Sequence, residues 1–145
     1  VSMGASTILM ASEIGLPANV KGIISDCAYS RPADIISQTI KNMGLPLKIV
    51  YPLVKMGAYI FGNFNIEDAS PVESVEKLEI PTLFIHGSED SVVPLVMGDV
   101  LYEKCSAKKR RIVIDSADHA NSALVDYDMY SKTVKEFIIR DVKDY

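Results

Sequence analysis

An apolar run with a polar turn behind it occupies residues 81–90, which read Pro-Thr-Leu-Phe-Ile-His-Gly-Ser-Glu-Asp. The run Pro81–His86 is short and closed by Gly87, which is typical of a strand that is buried on both faces. Strands of this kind belong to parallel sheets that helices cover on both sides. The stretch therefore predicts a buried strand of an α/β protein.

The rest of the chain alternates between helical and strand patterns, which supports the same fold class. Two further short apolar runs predict strands, Val20–Cys27 and Arg111–Ile114. Helical spacing and helix stop signals predict helices over Met3–Ile14, Pro32–Met43, two short pieces of Leu47–Phe61 split by Pro52, Val72–Leu78 with Ser70 as its cap, Val93–Cys105 and Ala123–Val142.

Composition excludes several classes of protein. With 145 residues, 48% hydrophobic and 23% charged, the chain is neither disordered nor a disulfide scaffold. A net charge of −4 argues against a broad nucleic-acid surface, and we interpret the basic run Lys108–Arg111 as a solvated strand entry. We expect no membrane span, because charged residues and a proline interrupt the most apolar stretch, Leu45–Phe64.

The two cysteines, Cys27 and Cys105, lie far apart and lack metal-ligand spacing. We expect free, buried thiols, a reducing and therefore cytoplasmic location, no metal and no cofactor. A nucleotide-binding domain is disfavoured, because the sequence has no glycine-rich phosphate loop.

Three short segments carry residues suited to chemistry, and each follows a strand or begins a helix. Ser2-Met3-Gly4 has the Ser-x-Gly pattern of a serine on a sharp turn before a helix, although serine is also a common helix cap. Asp90 lies in the turn after the apolar run, where an acid can face a histidine. His119 lies in a polar loop after the last strand and is a better general base than His86, which we expect to bond the loop backbone.

The order of these residues along the chain adds information. Ser2, Asp90 and His119 follow the order Ser…Asp…His that α/β-hydrolases use for their catalytic triad. Asp26 ends a predicted strand and is the alternative acid. Glu89 and Asp118 adjoin these candidates in the sequence, and we interpret both as solvated or loop-capping residues.

The segments together resemble a known family. The Ser-Met-Gly-Ala turn at residues 2–5, the block Ile80–Pro94 and the loop Asp118-His119-Ala120 look like those of bacterial serine α/β-hydrolases, in particular the prolyl-oligopeptidase-like ones. The resemblance runs along the whole chain but covers only the C-terminal half of that fold. It implies a parallel sheet flanked by helices, with a small helical cap insertion.

The resemblance also implies roles for the site residues. Ser2 would be the nucleophile, His119 the base and then the acid, Asp90 the residue that orients His119, and Met3 the donor of one oxyanion-hole amide. The implied reaction is hydrolysis of a carboxylic ester, with thioesters or peptides as variants, through an acyl-enzyme and without metal or cofactor. The implied partner is a small acyl substrate.

The same comparison divides the chain into three parts. Residues 1–44 and 65–145 would belong to the hydrolase core, and residues 45–64 would form the cap over the site. Four apolar or aromatic side chains of this cap are candidates to line an acyl pocket, although helices packed on the sheet would show the same pattern: Tyr51, Met56, Tyr59 and Phe61.

Two expectations follow from reading the chain as half of a fold. The strand Val20–Cys27 would lack its usual neighbour, so we expect a homo-oligomer through this edge or a missing N-terminal segment. We expect little activity from the isolated chain. The alternative to an enzyme is a catalytically incomplete fragment or pseudoenzyme that acts by binding.

Overall fold

Three parallel strands form the centre of the protein in a computed structural model that describes residues 1–142. They are β1 (Ile23–Asp26), β2 (Thr82–Gly87) and β3 (Lys109–Ile114), in the order β1-β2-β3. The central strand β2 is buried along its whole length and pairs with both neighbours. The predicted α/β class with a parallel sheet is confirmed.

Helices connect and cover the strands. Their bounds are α1 (Met3–Ala11), α2 (Pro32–Asn42), α3 (Leu47–Gly62), α4 (Pro71–Glu76), α5 (Leu95–Lys104), α6 (Ser122–Val125) and α7 (Tyr127–Phe137). Short turns of 3₁₀ helix follow α1 at Ser12–Ile14 and precede α4 at Ile66–Asp68, and a π-helical turn, Ile138–Val142, follows α7.

The core has two layers because the side chains of β2 alternate between the faces of the sheet. Phe84 packs on one face in a cluster that includes Leu9 of α1 and residues of α4 and α5. Leu83 and Ile85 pack on the other face with Phe137 of α7. Burial of each such large side chain contributes about 1.5–3 kcal/mol to stability.

The helix ends follow the capping rules in two places. Ser70 accepts a hydrogen bond from the Glu73 amide and Pro71 opens α4, as predicted. The prediction of one continuous helix over Ala123–Val142 is wrong. The Asp126 side chain accepts a hydrogen bond from the Met129 amide, and α7 begins there as a separate helix.

The prediction of two short helices split at Pro52 is also wrong. The single helix α3 runs from Leu47 to Gly62 with Pro52 inside it. Pro52 lies in the second turn and cannot donate to the Lys48 carbonyl, and Lys48 is exposed, so water can satisfy that carbonyl. One missing bond near the exposed start of a helix does not end it.

Strand β1 is shorter than the predicted Val20–Cys27, and it is an outer strand of the sheet. Within residues 1–142, no strand pairs with its free edge.

The basic run Lys108–Arg111 enters β3, and three of its four charges are paired with carboxylates. Lys108 and Arg110 contact Asp141, and Arg111 contacts Asp99. Lys109 is the first residue of β3, which confirms the strand entry, but these charges are paired with carboxylates and not simply solvated as expected.

No helix within residues 1–142 has both the length and the apolar character needed to cross a bilayer.

Candidate active site

Ser2 lies at the carboxyl end of the sheet, on a strained turn before α1. Its φ of 52° and ψ of −123° are outside the regions that a non-glycine residue normally adopts. A hydrogen bond of 2.8 Å from the Ser2 amide to the Asp26 carbonyl ties this turn to the end of β1. Cys27, Ser116 and Ala120 also have positive φ, with values of 46°, 57° and 59°. Backbone strain is therefore concentrated in the loops at this edge, as is common at functional sites.

Asp90 is held by the turn after β2. Its Oδ1 atom accepts the amides of Val92 and Val93, at 3.0 and 2.7 Å. Its side chain is 0% exposed. The carboxylate is therefore fixed in position, with His86 Nε2 at 3.4 Å from Oδ2 and a closer neighbour on the same oxygen.

That neighbour is His119, from the loop after β3. His119 Nδ1 lies 2.9 Å from Asp90 Oδ2, and His119 Nε2 lies 2.9 Å from Ser2 Oγ. An ionised carboxylate can only accept, so Nδ1 carries the proton and Nε2 accepts from the Ser2 hydroxyl. The structure thus joins a serine hydroxyl, an imidazole and a buried carboxylate in one hydrogen-bonded chain.

Asp26, the alternative acid, has different partners. Its Oδ2 accepts from the Tyr130 hydroxyl at 3.2 Å, while its buried Oδ1 has no hydrogen-bond partner. Burial raises the pKa of the Asp26 carboxyl despite this hydrogen bond. Burial and the nearby Asp26 carboxyl also raise the pKa of Tyr130, to about 12.

His86 is buried at the end of β2 and supports the turn. Its Nε2 lies 2.9 Å from the Val93 carbonyl, which can only accept, so His86 donates. The predicted bond from His86 to the loop backbone is confirmed. Gly98 of α5 makes room for the ring, since a Cβ there would lie 2.4 Å from His86 Nδ1.

Cys27 adjoins the site, which the sequence reasoning missed. One ligand-type atom each from Cys27, Asp90 and His119 lie within 4.8 Å of one another. Burial and Asp26 raise the pKa of the Cys27 thiol to about 11, which makes it a poor metal ligand. The carboxylate and the imidazole already bond each other, so a metal would have to break that bond. The position of Cys27 directly after a strand was the available signal.

The other predicted site residues have clear positions. Met3 is the first residue of α1, where an amide has no acceptor inside the helix. Glu89 and Asp118 are exposed, as predicted. The candidate pocket residues all lie on α3, where Tyr51 donates to Glu67 at 3.4 Å. Phe61 is 91% exposed. Met56 and Tyr59 are exposed too, so the acyl pocket stays a prediction.

Comparison with solved structures identifies the fold. An esterase of Pyrococcus furiosus superposes with a TM-score of 0.69 at 20% identity, covering 97% of this chain and 52% of the esterase. Strand order, flanking helices and this superposition define an α/β-hydrolase fold.

Comparison with sequences identifies the family. The profile of the family described as "Serine hydrolase (FSH1)" matches residues 35–120, which is more than half of the chain and includes Asp90 and His119. The chain therefore belongs to this serine hydrolase family, and the predicted resemblance to serine α/β-hydrolases is confirmed.

Two relatives are similar to this chain in sequence. "Uncharacterized protein YqkD" of Bacillus subtilis (strain 168) is 28% identical over 138 residues, covering 94% of this chain and 45% of that protein. "Alpha/beta hydrolase domain-containing protein 17B" of Homo sapiens is 30% identical over 76 residues, covering 52% of this chain and 26% of that protein. The chain spans less than half the length of these relatives.

Proposed function

We propose that this chain carries the catalytic triad of a serine hydrolase that cleaves carboxylic esters, with thioesters or peptides as variant substrates. In this proposal Ser2 is the nucleophile, His119 the general base and then the acid, and Asp90 the residue that orients His119. The observation that carries it is the chain of hydrogen bonds from Ser2 Oγ to His119 Nε2 and from His119 Nδ1 to Asp90 Oδ2, each 2.9 Å long.

The first half of the reaction forms an acyl-enzyme. Ser2 Oγ attacks the carbonyl carbon of the ester while His119 Nε2 takes the hydroxyl proton. The negative charge of Asp90 stabilises the imidazolium that results and keeps Nε2 directed at Ser2. The tetrahedral intermediate then collapses, and His119 returns the proton to the departing alcohol.

The second half repeats the chemistry with water. His119 Nε2 takes a proton from a water molecule, whose oxygen attacks the acyl carbon. Collapse of this second intermediate breaks the bond to Ser2 Oγ, and His119 returns the proton to the serine. The carboxylic acid leaves and the site is restored without any consumed cofactor.

The oxyanion of both intermediates needs hydrogen-bond donors. We assign one of them to the Met3 amide, which stands at the N-terminus of α1 next to the nucleophile. The partial positive charge at a helix N-terminus favours an anion in this position. Loss of a single such donor typically costs about 10²–10³-fold in kcat.

We assign the acyl group to a site under α3. This helix makes up most of residues 45–64, which would act as a cap over the active site. No residue of α3 is buried, and the helix packs on α2 outside the sheet. Exposed apolar side chains concentrated on one helix often mark a ligand or partner surface. The candidates Tyr51, Met56, Tyr59 and Phe61 would favour apolar acyl groups.

Hydrolysis kinetics with the natural full-length protein test the proposal. We expect turnover of p-nitrophenyl esters, and lower rates with a matched thioester and a matched anilide. Asp90→Asn should lower kcat by about 10³–10⁴-fold, because the amide favours the wrong histidine tautomer. Asp26→Asn is the matched control and should change kcat far less, since Asp26 bonds Tyr130 and not His119.

Two outcomes would contradict the proposal. A larger loss in Asp26→Asn than in Asp90→Asn would make Asp26 the acid. A folded full-length protein that turns over none of the three substrates would favour the binding alternative.

We also propose a pairing partner for the free edge of β1, either a second copy of this chain or a segment that precedes residue 1. The molar mass in light scattering, with and without such a segment, tests this. Two free, buried cysteines support a cytoplasmic location, which cell fractionation tests.

A further inference from the structure

Asp118 precedes His119 and accepts three hydrogen bonds on one carboxylate oxygen. The Ser91 amide and the Ser91 hydroxyl both donate to Asp118 Oδ1 at 2.8 Å. The His119 amide donates to the same oxygen at 2.7 Å. A charged acceptor forms stronger hydrogen bonds than a neutral one, so these three bonds make a firm junction.

The junction joins the two loops that carry the candidate acid and base. Ser91 directly follows Asp90, and Asp118 directly precedes His119. The loops are also linked closer to the strands, where the Glu89 amide donates to the Ala117 carbonyl at 3.0 Å. The contact between Asp118 and Ser91 therefore joins the two loops at positions adjacent in sequence to the candidate acid and the candidate base.

We propose that Asp118 is a positioning residue that sets the distance between Asp90 and His119. The inference rests on the proposed function of these two residues. Asp118 does not contact the reacting atoms. It acts through the backbone of His119 and through Ser91, and it thereby holds the imidazole within hydrogen-bond distance of both the carboxylate and Ser2 Oγ.

The charge of Asp118 strengthens the junction. Hydrogen bonds from Ser91 and His119 lower the pKa of the Asp118 carboxyl, so it stays ionised wherever the hydrolase would work. The acceptor of all three bonds is therefore a charged oxygen, and a neutral acceptor in its place should hold the loops less firmly.

Three variants of the full-length protein separate these effects. Asp118→Ala removes the acceptor, Asp118→Asn keeps an oxygen acceptor without the charge, and Ser91→Ala removes one of the three donors. Asp115→Ala is the matched control, because Asp115 lies on the same loop and accepts from Ser88 at 3.3 Å. Ester hydrolysis against pH and thermal unfolding are measured for each.

We expect Asp118→Ala to lower kcat by about 10–100-fold with little change in KM, since small misplacement of catalytic groups costs this much. Asp118→Asn should recover most of kcat, because its amide oxygen can still accept these hydrogen bonds. Asp115→Ala should match the wild type in kcat and KM.

Three results would overturn the inference. An active wild type with an equally active Asp118→Ala would remove Asp118 alone and leave the proposed function intact. A wild type without activity would overturn both. If Asp118→Ala does not fold, Ser91→Ala decides, and wild-type kcat in that variant would reject the role.

Discussion

Gly87 ends β2 directly before the loop that carries Asp90. Because Gly87 has no side chain, this loop can lie close to the loop after β3, which carries His119. A Cβ at this position would lie 2.2 Å from the carbonyl oxygen of Ala117 and 2.7 Å from its carbonyl carbon. Cβ atoms do not approach other atoms closer than 3.0 Å, so the oxygen would have to move by at least 0.8 Å. We therefore predict that Gly87→Ala damages both stability and activity.

The magnitude follows from what surrounds the contact. Ala117 is 0% exposed, and its carbonyl accepts the Glu89 amide, so neither loop can move alone. Overpacking a core typically costs about 1–3 kcal/mol, and a clash with backbone falls at the upper end. Ala117 lies two residues before His119, and a misplacement of about 1 Å in a site can cost about 10²-fold in rate.

Urea unfolding and ester hydrolysis of the full-length protein measure the two effects. We expect Gly87→Ala to lose about 3 kcal/mol of unfolding free energy and up to about 100-fold in kcat. Gly57→Ala in α3 is the matched control, because nothing except its chain neighbours and the backbone of its own helix comes within 4 Å of its Cβ position. Helix propensity should stabilise that variant by about 0.5–1 kcal/mol. Wild-type stability and rate in Gly87→Ala would show that the two loops do not need this close approach.

Three further predictions concern the buried groups. Burial raises the pKa of Asp26, so the native state holds the carboxyl proton more tightly than the unfolded state does. This protonation stabilises the native state fully below the ordinary pKa of 3.8, and the stabilisation is lost as pH rises through the native pKa. In urea titrations, Asp26→Asn should therefore flatten the dependence of the unfolding free energy on pH. Cys27 is 0% exposed with a pKa of about 11, so iodoacetamide should modify it only after unfolding, and rapid modification of the native protein in a mass spectrum would contradict its burial. Leu9→Ala should cost about 2–5 kcal/mol in unfolding free energy, whereas Ile14→Ala, at a side chain 88% exposed, should stay within about 0.5 kcal/mol.

The fold class could be predicted from the sequence because its signals are local. The run Pro81–His86 is apolar without alternation, and a strand with that pattern must be buried on both faces. Ser70-Pro71 marked the start of α4 for the same reason, since a cap and a first-turn proline act within one turn of helix. Pro52 misled the prediction, because the cost of a proline depends on whether the freed carbonyl reaches water.

Parts of the candidate site depend on contacts between residues far apart in the chain. Ser91 and Asp118 are 27 residues apart, and nothing in either local sequence indicates that they bond. Asp26 and Tyr130 are 104 residues apart, and their hydrogen bond gives the Asp26 carboxyl a partner other than His119. Cys27 resembles any buried small residue until the fold places it beside His119. Such contacts are set by the register of the strands and the paths of the loops, which a local pattern does not encode.

Ser2 is the nucleophile of the proposed reaction, and a fluorophosphonate can identify it because the reagent forms a stable bond with an activated serine. The full-length protein is treated with the reagent, and peptide mapping by mass spectrometry locates the adduct. We predict one adduct, on the peptide that contains Ser2, and none in Ser2→Ala. A folded wild-type protein without an adduct, or an adduct on another serine that persists in Ser2→Ala, would contradict the claim.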